Sequence, residues 1–269
     1  MKVGIEIRHS DYKKMKKHGF DCIDFAGLTD VNTEVFRVSE EEFREIMAAE
    51  KKRADSAGVE VDQVHAPWPT DDTTEDRRRE TLKHMKRAIL GTALLGSNYF
   101  VVHPVMPFGW GAEPDADVAR QLNKEFLIEL TDYARPLGVT ICLENMPFTA
   151  CRLSYVVNIV EFLKELNIDN LAICLDTGHA NVCKEAPGDM VRLCGKYLKT
   201  LHVHDNNGHW DEHALPYYET IDWSDFKKAL KEIGFQGCLT LELHELRGCS
   251  SDIEADMLDL CFKIAKSLC

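Results

Sequence analysis

The sequence predicts an α/β protein, a single (β/α)8 TIM barrel that spans residues 1–269. Eight strand-like runs alternate with eight helix-like segments along the 269 residues. Short connections between alternating strands and helices predict a parallel sheet, and eight such units in about 250 residues are typical of a closed barrel. No Gly-x-Gly-x-x-Gly sequence follows any strand, so an open, doubly wound sheet is the second choice. No linker or low-complexity segment divides the chain.

The predicted strands are short, mostly apolar runs, and a segment with helical periodicity follows each of them. The strands fall at residues 2–7, 22–25, 59–65, 99–103, 139–144, 171–176, 198–204 and 238–244. The helices fall at residues 11–18, 39–57, 72–95, 114–136, 154–166, 187–195, 223–233 and 251–267. Ser39 with Glu42 three residues later, and Ser154 before Tyr155, are typical of helix beginnings. Glycines mark the helix ends before the next strand, at Gly19, Gly58, Gly96, Gly138 and Gly234.

The composition indicates a globular protein with no membrane partner. Hydrophobic residues make up 45% of the chain and charged residues 29%, with a formal net charge of −13. This charge argues against nucleic acid as a partner, because affinity for DNA depends largely on phosphate neutralisation by Lys and Arg. No run of 18 apolar residues predicts a membrane span. The first seven residues carry Glu6 in their apolar stretch, so we interpret them as a strand and not a signal peptide.

Ten cysteines are present, but no Cys-x-x-Cys pair indicates a zinc or redox site. Cys142, Cys174 and Cys238 lie within apolar strand patterns. We predict that these three are buried, reduced and unliganded, acting as small hydrophobic side chains. Reduced thiols favour a cytoplasmic location.

Four consecutive late strands end in side chains that bind metals: Glu144, Asp176, His202 and Glu242. The residues two positions before each of them face the same side of the strand and are mostly small. The residues that face the opposite side are large and aliphatic. Small residues are expected inside the barrel, so the four ligands should converge at the mouth formed by the carboxyl ends of the strands. If these four side chains were buried together without a cation, the carboxylates would repel one another and lose their solvation by water. The sequence therefore predicts a divalent metal site, with Mn²⁺, Mg²⁺ and Zn²⁺ as alternatives.

Further polar and aromatic residues lie at the same predicted rim. His65 and His103 end the third and fourth strands, and His179, Asp211 and His213 lie on later loops. Arg152, Arg247 and Arg8 are candidates for holding a phosphate, with a solvated surface position as the alternative for each. Trp68 and Trp110 follow the third and fourth strands, where they either cover a bound ligand or anchor their loops.

Motifs along the whole chain resemble those of a known superfamily. They are Val64-His-Ala-Pro67, His103-Pro104, Leu143-Glu-Asn145, Leu175-Asp-Thr-Gly-His179, His202-Val-His-Asp205, Asp211-Glu-His213, Ile221-Asp-Trp223 and Leu241-Glu242. The chain is similar to the xylose-isomerase-like barrels, and more narrowly to their sugar phosphate isomerase/epimerase branch. Endonuclease four-type apurinic-site nucleases share this fold.

The resemblance implies roles for individual residues. In epimerases of this type, residues matching Glu144, Asp176, His202 and Glu242 hold one metal, and the two glutamates serve as acid and base. In the nucleases, residues matching His65 and His103 with a bridging Glu144, and residues matching His179, Asp211 and His213, hold further metals. In an epimerase, His179 would contact the substrate instead.

One segment departs from the family pattern. Members commonly have Pro-Gly-x-Gly before the Ile-Asp-Trp segment, whereas this chain has Pro216-Tyr217-Tyr218-Glu219-Thr220. The two tyrosines are expected either to close over a ligand or to pack.

Two enzymatic functions and one binding function follow from these observations. The first is a metal-dependent isomerase or epimerase of a small sugar or sugar phosphate, with Glu144 and Glu242 transferring a proton through an enediolate. The alternative is a metal-dependent phosphodiesterase acting on damaged DNA. The acidic net charge favours the first. A barrel that binds a polyol without turnover is the third, and the oligomeric state is left open, with a homo-oligomer as one outcome.

Overall fold

The barrel consists of eight parallel strands. A computed structural model describes residues 1–7, 11–70, 73–243 and 250–269. The strands are β1 (Lys2–Ile7), β2 (Cys22–Phe25), β3 (Glu60–His65), β4 (Tyr99–Val102), β5 (Thr140–Glu144), β6 (Leu171–Asp176), β7 (Leu198–His202) and β8 (Cys238–Leu241). Their order in the sheet is β7-β6-β5-β4-β3-β2-β1-β8. An isolated parallel bridge between Val203 and Leu241 joins β7 to β8, so the structure confirms the predicted (β/α)8 TIM barrel.

Helices follow every strand. They are α1 (Tyr12–Lys17), α2 (Glu40–Ala57), α3 (Glu75–Leu94), α4 (Ala116–Ala134), α5 (Val156–Leu166), α6 (Thr177–Val182), α7 (Pro187–Cys194), α8 (Trp223–Glu232) and α9 (Ser251–Leu268). Short 3-10 turns lie at Glu34–Phe36, Arg135–Leu137, Arg152–Ser154 and Gly195–Tyr197. Of the helices in the described part of the chain, none is long and apolar enough to cross a membrane.

The predicted helix ends are mostly confirmed. The Ser39 side chain accepts a hydrogen bond from the Glu42 backbone N–H at the start of α2. The five predicted helix-ending glycines all have positive φ, between 66° and 95°. The prediction for Ser154 is wrong, because this residue belongs to a 3-10 turn, and Tyr155 precedes α5 as its N-cap without a side-chain cap hydrogen bond. The short helix α6 was not predicted.

The packing inside and outside the barrel follows the predicted alternation of residue size. Val101, Cys142, Ala172 and Cys174 form a separate buried cluster of small side chains on one face of β4, β5 and β6. The large aliphatic residues of the opposite parity, such as Ile141, belong to the main core that packs against the helices. Inward-facing positions near the strand ends are therefore left for polar side chains.

Cys142 and Cys174 are buried free cysteines, as predicted, but the prediction for Cys238 is wrong. Cys238 on β8 forms a disulfide with Cys22 on β2. Strand β1 lies between those two strands, and its Gly4 has no side chain. A Cβ placed on Gly4 would lie 2.7 Å from Cys238 Sγ and 3.1 Å from Cys22 Sγ. The two sulfurs meet because glycine leaves that space open.

Candidate active site

A cavity of about 460 Å³ opens at the carboxyl ends of the strands. Acidic residues and imidazoles line part of it, and apolar side chains line the rest. The apolar part includes Trp68, Met106, Trp110, Met146 and Phe148. This combination of a few converging polar groups with apolar walls is typical of a small-molecule site.

The four predicted metal ligands converge. Glu144, Asp176, His202 and Glu242 each offer one ligand atom, and these atoms lie within 4.8 Å of one another. His202 Nδ1 is 2.9 Å from Glu144 Oε1 and 3.1 Å from Glu242 Oε2. The four side chains therefore surround one common point, as the inward parity of the late strands predicts.

Strand register brings these residues to neighbouring positions at one end of the barrel. Glu144, the last residue of β5, pairs with Cys174, two residues before the end of β6, and Asp176 pairs with His202 at the ends of β6 and β7. Glu242 lies one residue beyond β8, and its backbone N–H donates to Val203 O at 3.2 Å. Neighbouring parallel strands thus place their terminal side chains at the same rim.

Two further histidines contact the same glutamate. His103 Nε2 is 3.2 Å from Glu144 Oε2, and His65 Nε2 is 3.6 Å from that oxygen. The His65 ring also stacks on the His202 ring, with centroids 5.6 Å apart. His65, Glu144 and His202 form a second group with the spacing of metal ligands.

A third group surrounds Asp211 at the same rim. Its members are His179, His204, Asp211 and His213. Asp211 Oδ2 lies 3.2 Å from both His179 Nε2 and His213 Nε2. The Asp176 side chain accepts a hydrogen bond from the His179 backbone N–H and begins α6, which orients His179 toward this group.

His204 was not among the predicted site residues. Its Nε2 lies 3.0 Å from Asp176 Oδ1, and its ring stacks on that of His213 with centroids 4.0 Å apart. His204 follows His202 by two residues, so the alternation that placed His202 inward would have placed His204 inward as well.

Asp24 and Glu6 were also not predicted, although each lies two residues after a small residue, Cys22 or Gly4, which is the same alternation that indicates the late-strand ligands. Asp24 on β2 is fully buried, and its Oδ2 is 2.8 Å from His202 Nε2. Glu6 on β1 lines the cavity. Burial, together with the charges of Glu242 and Asp24, raises the pKa of Glu6 to about 8.

The charges in the site balance one another. Burial acts to raise the pKa of the Glu144 carboxyl, but His202 and His103 hold this pKa well below its usual value. Burial also acts to raise the pKa of the Glu242 carboxyl, but the charge of His202 holds this pKa well below its usual value. Burial acts to lower the pKa of His65, but Glu144 raises it to about 9. Both glutamates are therefore ionised at neutral pH, with His65 and His202, whose pKa values are raised, supplying compensating positive charge.

The donor set fits a divalent cation. Within the described residues, Glu144 Oε2 and Glu242 Oε2 are buried and accept no hydrogen bond of good geometry, although imidazole nitrogens lie 3.2 and 3.1 Å away. Buried carboxylate oxygens normally find a partner, so such atoms mark a place for another ligand. Three carboxylates and one imidazole match the preferences of Mn²⁺, Mg²⁺ and Zn²⁺.

The remaining predicted residues have different positions. Trp68 and Trp110 line the cavity. Arg152 is exposed in its 3-10 turn and does not line the cavity, so the structure does not bring this predicted phosphate ligand to the site. Arg247 and Arg8 lie outside the described residues.

The two tyrosines of the departing segment point away from the cavity. Tyr217 packs near Trp223, with ring centroids 6.2 Å apart, and its hydroxyl lies 3.2 Å from Ser267 Oγ in α9. Tyr217 has φ 77°, so it keeps the left-handed backbone that a glycine commonly provides in the family pattern. Tyr218 is exposed and, like Tyr217, is absent from the cavity lining.

The chain belongs to the xylose isomerase-like TIM barrel family, whose model matches residues 12–259. It is 32% identical over 194 residues to an uncharacterized protein of Methanocaldococcus jannaschii, covering 68% of this chain and 64% of that protein. The chain thus spans slightly less than two thirds of that relative. It is 25% identical over 249 residues to the D-psicose 3-epimerase of Ruminiclostridium cellulolyticum, covering 87% of this chain and 78% of the epimerase.

A solved structure has the same barrel. The IOLI protein with a bound zinc atom superposes with a TM-score of 0.77 at 20% sequence identity, covering 100% of this chain and 96% of that chain. At this identity the likeness shows the shared fold.

Proposed function

We propose that the chain is an enzyme, a metal-dependent isomerase or epimerase that acts on a small sugar or sugar phosphate. The observation that carries this proposal is a pair of ionised carboxylates, Glu144 and Glu242, that line one cavity and contact the same His202 nitrogen. The similarity to the D-psicose 3-epimerase of Ruminiclostridium cellulolyticum supports it.

In this proposal Glu144, Asp176, His202 and Glu242 hold a divalent cation, which is Mn²⁺, Mg²⁺ or Zn²⁺. Their ligand atoms lie within 4.8 Å of one another, and two of the carboxylate oxygens have no hydrogen-bond partner among the described residues. When bound, the cation would stabilise the negative charge that develops on a substrate oxygen when the adjacent carbon loses a proton.

Glu144 and Glu242 act as the proton-transfer pair. Both carboxyls have a lowered pKa, so each is present as a base at neutral pH. If one takes the proton from the substrate carbon and later releases it to solvent, and the other first takes a proton from solvent and delivers it to the opposite face, the result is an epimer. Return of a proton to the neighbouring carbon interconverts an aldose and a ketose.

The apolar wall gives the sugar a surface to lie on. Trp110 and Phe148 pack against each other with ring centroids 5.2 Å apart, and both line the cavity with Trp68. The carbon–hydrogen face of a sugar packs on such rings while its hydroxyls turn to the polar side of the cavity. Trp68 and Trp110 are therefore proposed as substrate contacts.

The experiment is a panel of ketoses and ketose phosphates incubated with the metal-free protein and with added Mn²⁺, followed by chromatography of the epimers and aldoses formed. We expect turnover of at least one ketose that depends on the added cation. Absence of turnover across the panel, by protein shown to bind Mn²⁺, would contradict the proposal.

A second candidate, the metal-dependent phosphodiesterase, is favoured by one observation. The third group around Asp211 lies beside the first, so three groups of possible ligands share one rim. Several metals close together suit phosphoryl chemistry. The net charge of −13 opposes binding to duplex DNA. Incubation with an abasic-site duplex at low and moderate salt tests it, and metal-dependent strand cleavage would favour this candidate over the isomerase.

The proposal treats residues 1–269 as one domain that works in the cytoplasm. Five buried free cysteines among the described residues support a reducing compartment: Cys142, Cys151, Cys174, Cys183 and Cys194. The Cys22–Cys238 disulfide opposes it. Fractionation of cells that produce the protein, with detection of the native chain, tests the location.

A further inference from the structure

Asp24 contributes a carboxylate to the side of His202 that faces away from the glutamates. Asp24 and His202 are both fully buried. Asp24 Oδ2 lies 2.8 Å from His202 Nε2, and the Gln63 side-chain amide donates to the same oxygen at 2.9 Å. The opposite ring nitrogen, Nδ1, faces Glu144 and Glu242 at 2.9 and 3.1 Å. The two nitrogens of one imidazole thus have different partners and different tasks.

A metal-binding imidazole needs a particular tautomer. If Nδ1 is to offer its lone pair to a cation between the two glutamates, the single proton of neutral imidazole must reside on Nε2. A proton on Nε2 needs an acceptor, and Asp24 Oδ2 is in position to be that acceptor. A carboxylate there also makes the imidazole a stronger ligand.

Two contacts together fix the ring. His65 stacks on His202 with an interplanar angle of 12°, which sets the plane of the ring. Asp24 holds Nε2 at one edge of that plane, so Nδ1 is presented at the other edge. Gln63 in turn fixes Asp24, because its amide donates to the oxygen that faces His202.

We propose that Asp24 is a positioning residue that holds His202 as the Nδ1-coordinating tautomer and thereby raises the affinity of the site for a divalent cation. The inference rests on the proposed function, since it assigns a task to a residue that supports the proposed metal ligand. Asp24 itself does not line the cavity and is not proposed to contact substrate.

The test compares Asp24→Asn with the matched control Asp62→Asn in the full-length protein. Asp62 lies on the neighbouring strand β3, and among its described contacts none is to His202. Isothermal titration with Mn²⁺ measures the Kd, and thermal unfolding of each metal-free variant measures folding. We expect Asp24→Asn to weaken Mn²⁺ binding by roughly 10- to 100-fold, and Asp62→Asn to leave the Kd within about twofold of wild type.

A second measurement uses the wild-type protein, so it does not depend on whether Asp24→Asn folds. Long-range ¹H–¹⁵N spectra of the Zn²⁺-loaded protein assign the proton of His202. A proton on Nε2 in the wild-type protein supports the inference when the signal of that proton is lost or shifted in Asp24→Asn. A proton on Nδ1, or an unchanged Mn²⁺ Kd in folded Asp24→Asn, overturns it. If wild type binds neither Mn²⁺ nor Zn²⁺, the proposed metal site itself fails, which is a distinct result.

Discussion

Glu144 is the most heavily contacted acid of the site, since imidazoles on β3, β7 and the residue after β4 all approach its carboxylate. Glu242 shares only one of them, His202, and in addition approaches His213, whose Nδ1 lies 3.8 Å from Glu242 Oε1. The two glutamates therefore have different surroundings, as expected for an acid and a base that act from different sides of a substrate.

We expect Glu144→Gln and Glu242→Gln each to lower solvent-proton exchange at the substrate carbon by roughly 10²- to 10⁴-fold. Glutamine keeps the size of the side chain and one oxygen ligand but cannot accept the proton. Metal binding, measured by titration, should weaken only modestly. Glu50→Gln is the control, because Glu50 is buried on α2 and contacts Tyr12 outside the cavity. Exchange that survives in both site variants would show that the pair is not catalytic.

Asp62 gives a pH dependence that arises outside the four proposed metal ligands. Burial, with the charges of Glu60 and Asp24, raises the pKa of Asp62 from 3.8 to about 7. Its Oδ2 has no hydrogen-bond partner within the described residues. Between pH 4 and 7 the folded protein therefore holds this proton more tightly than the unfolded chain does. The contribution of Asp62 to stability falls as the pH rises through that window.

We expect Asp62→Asn to raise the free energy of unfolding by about 1–2 kcal/mol at pH 8 and by little at pH 4, because the amide is neutral at both. Urea unfolding at the two pH values measures this. Asp169→Asn, at an exposed position, should change neither value. An equal effect of Asp62→Asn at pH 4 and pH 8 would contradict the assigned ionisation.

Strand β1 shows how one small residue joins two distant parts of the chain. Gly4 faces the interior between Cys22 and Cys238, which are 216 residues apart in sequence and bonded to each other. A cross-link over so long a loop restricts the unfolded chain strongly. The sequence alone did not reveal the pair, since the closeness of β2 and β8 depends on closure of the barrel and on the absent side chain of Gly4.

Reduction of this disulfide is expected to lower the free energy of unfolding by about 3 kcal/mol and the Tm by roughly 5–10 °C. Calorimetry with and without a strong reductant measures the effect. The Cys22→Ala/Cys238→Ala double variant should melt at one temperature under both conditions. Peptide mapping without reductant that finds both thiols free would contradict the bond.

The strands and most helices could be predicted because alternation and capping are local properties of the sequence. Strand ends were less accurate. β7 was predicted to extend to residue 204 but ends at His202. Beyond it the chain leaves the sheet, and Asp205 pairs with Ala214 in an antiparallel bridge. Helix α6 escaped prediction because five of its six residues are buried, so it shows no amphipathic pattern, although Asp176 three residues before His179 is a capping signal.

Part of the site could be predicted because the alternation of residues along a strand is likewise a local property. Inward parity on β5, β6, β7 and after β8, together with the predicted barrel, identified the four converging ligands. The contact of Asp24 with His202 joins residues 178 positions apart, so it depends on which strands face each other across the barrel. Sequence patterns specify which side of a strand a residue faces, but not its partner across the interior.

As a whole, the molecule is an acidic barrel with one polar mouth. The net charge of −13 gives an anionic surrounding that attracts cations and disfavours polyanions such as DNA. The Trp68, Trp110 and Phe148 wall covers the other part of the same cavity. These features together favour a small polyhydroxylated substrate held beside a divalent cation.

Deuterium exchange tests this account most directly. A ketose such as D-psicose is incubated in D₂O with Mn²⁺-loaded protein, with the chelated protein and with Glu144→Gln, and mass spectrometry follows deuterium at the carbon next to the carbonyl. We predict incorporation by the loaded wild-type protein that chelation abolishes and Glu144→Gln lowers by at least about 10²-fold. Incorporation that is equal with and without the cation, or absent with every ketose tested, would contradict metal-dependent proton transfer as the function of this barrel.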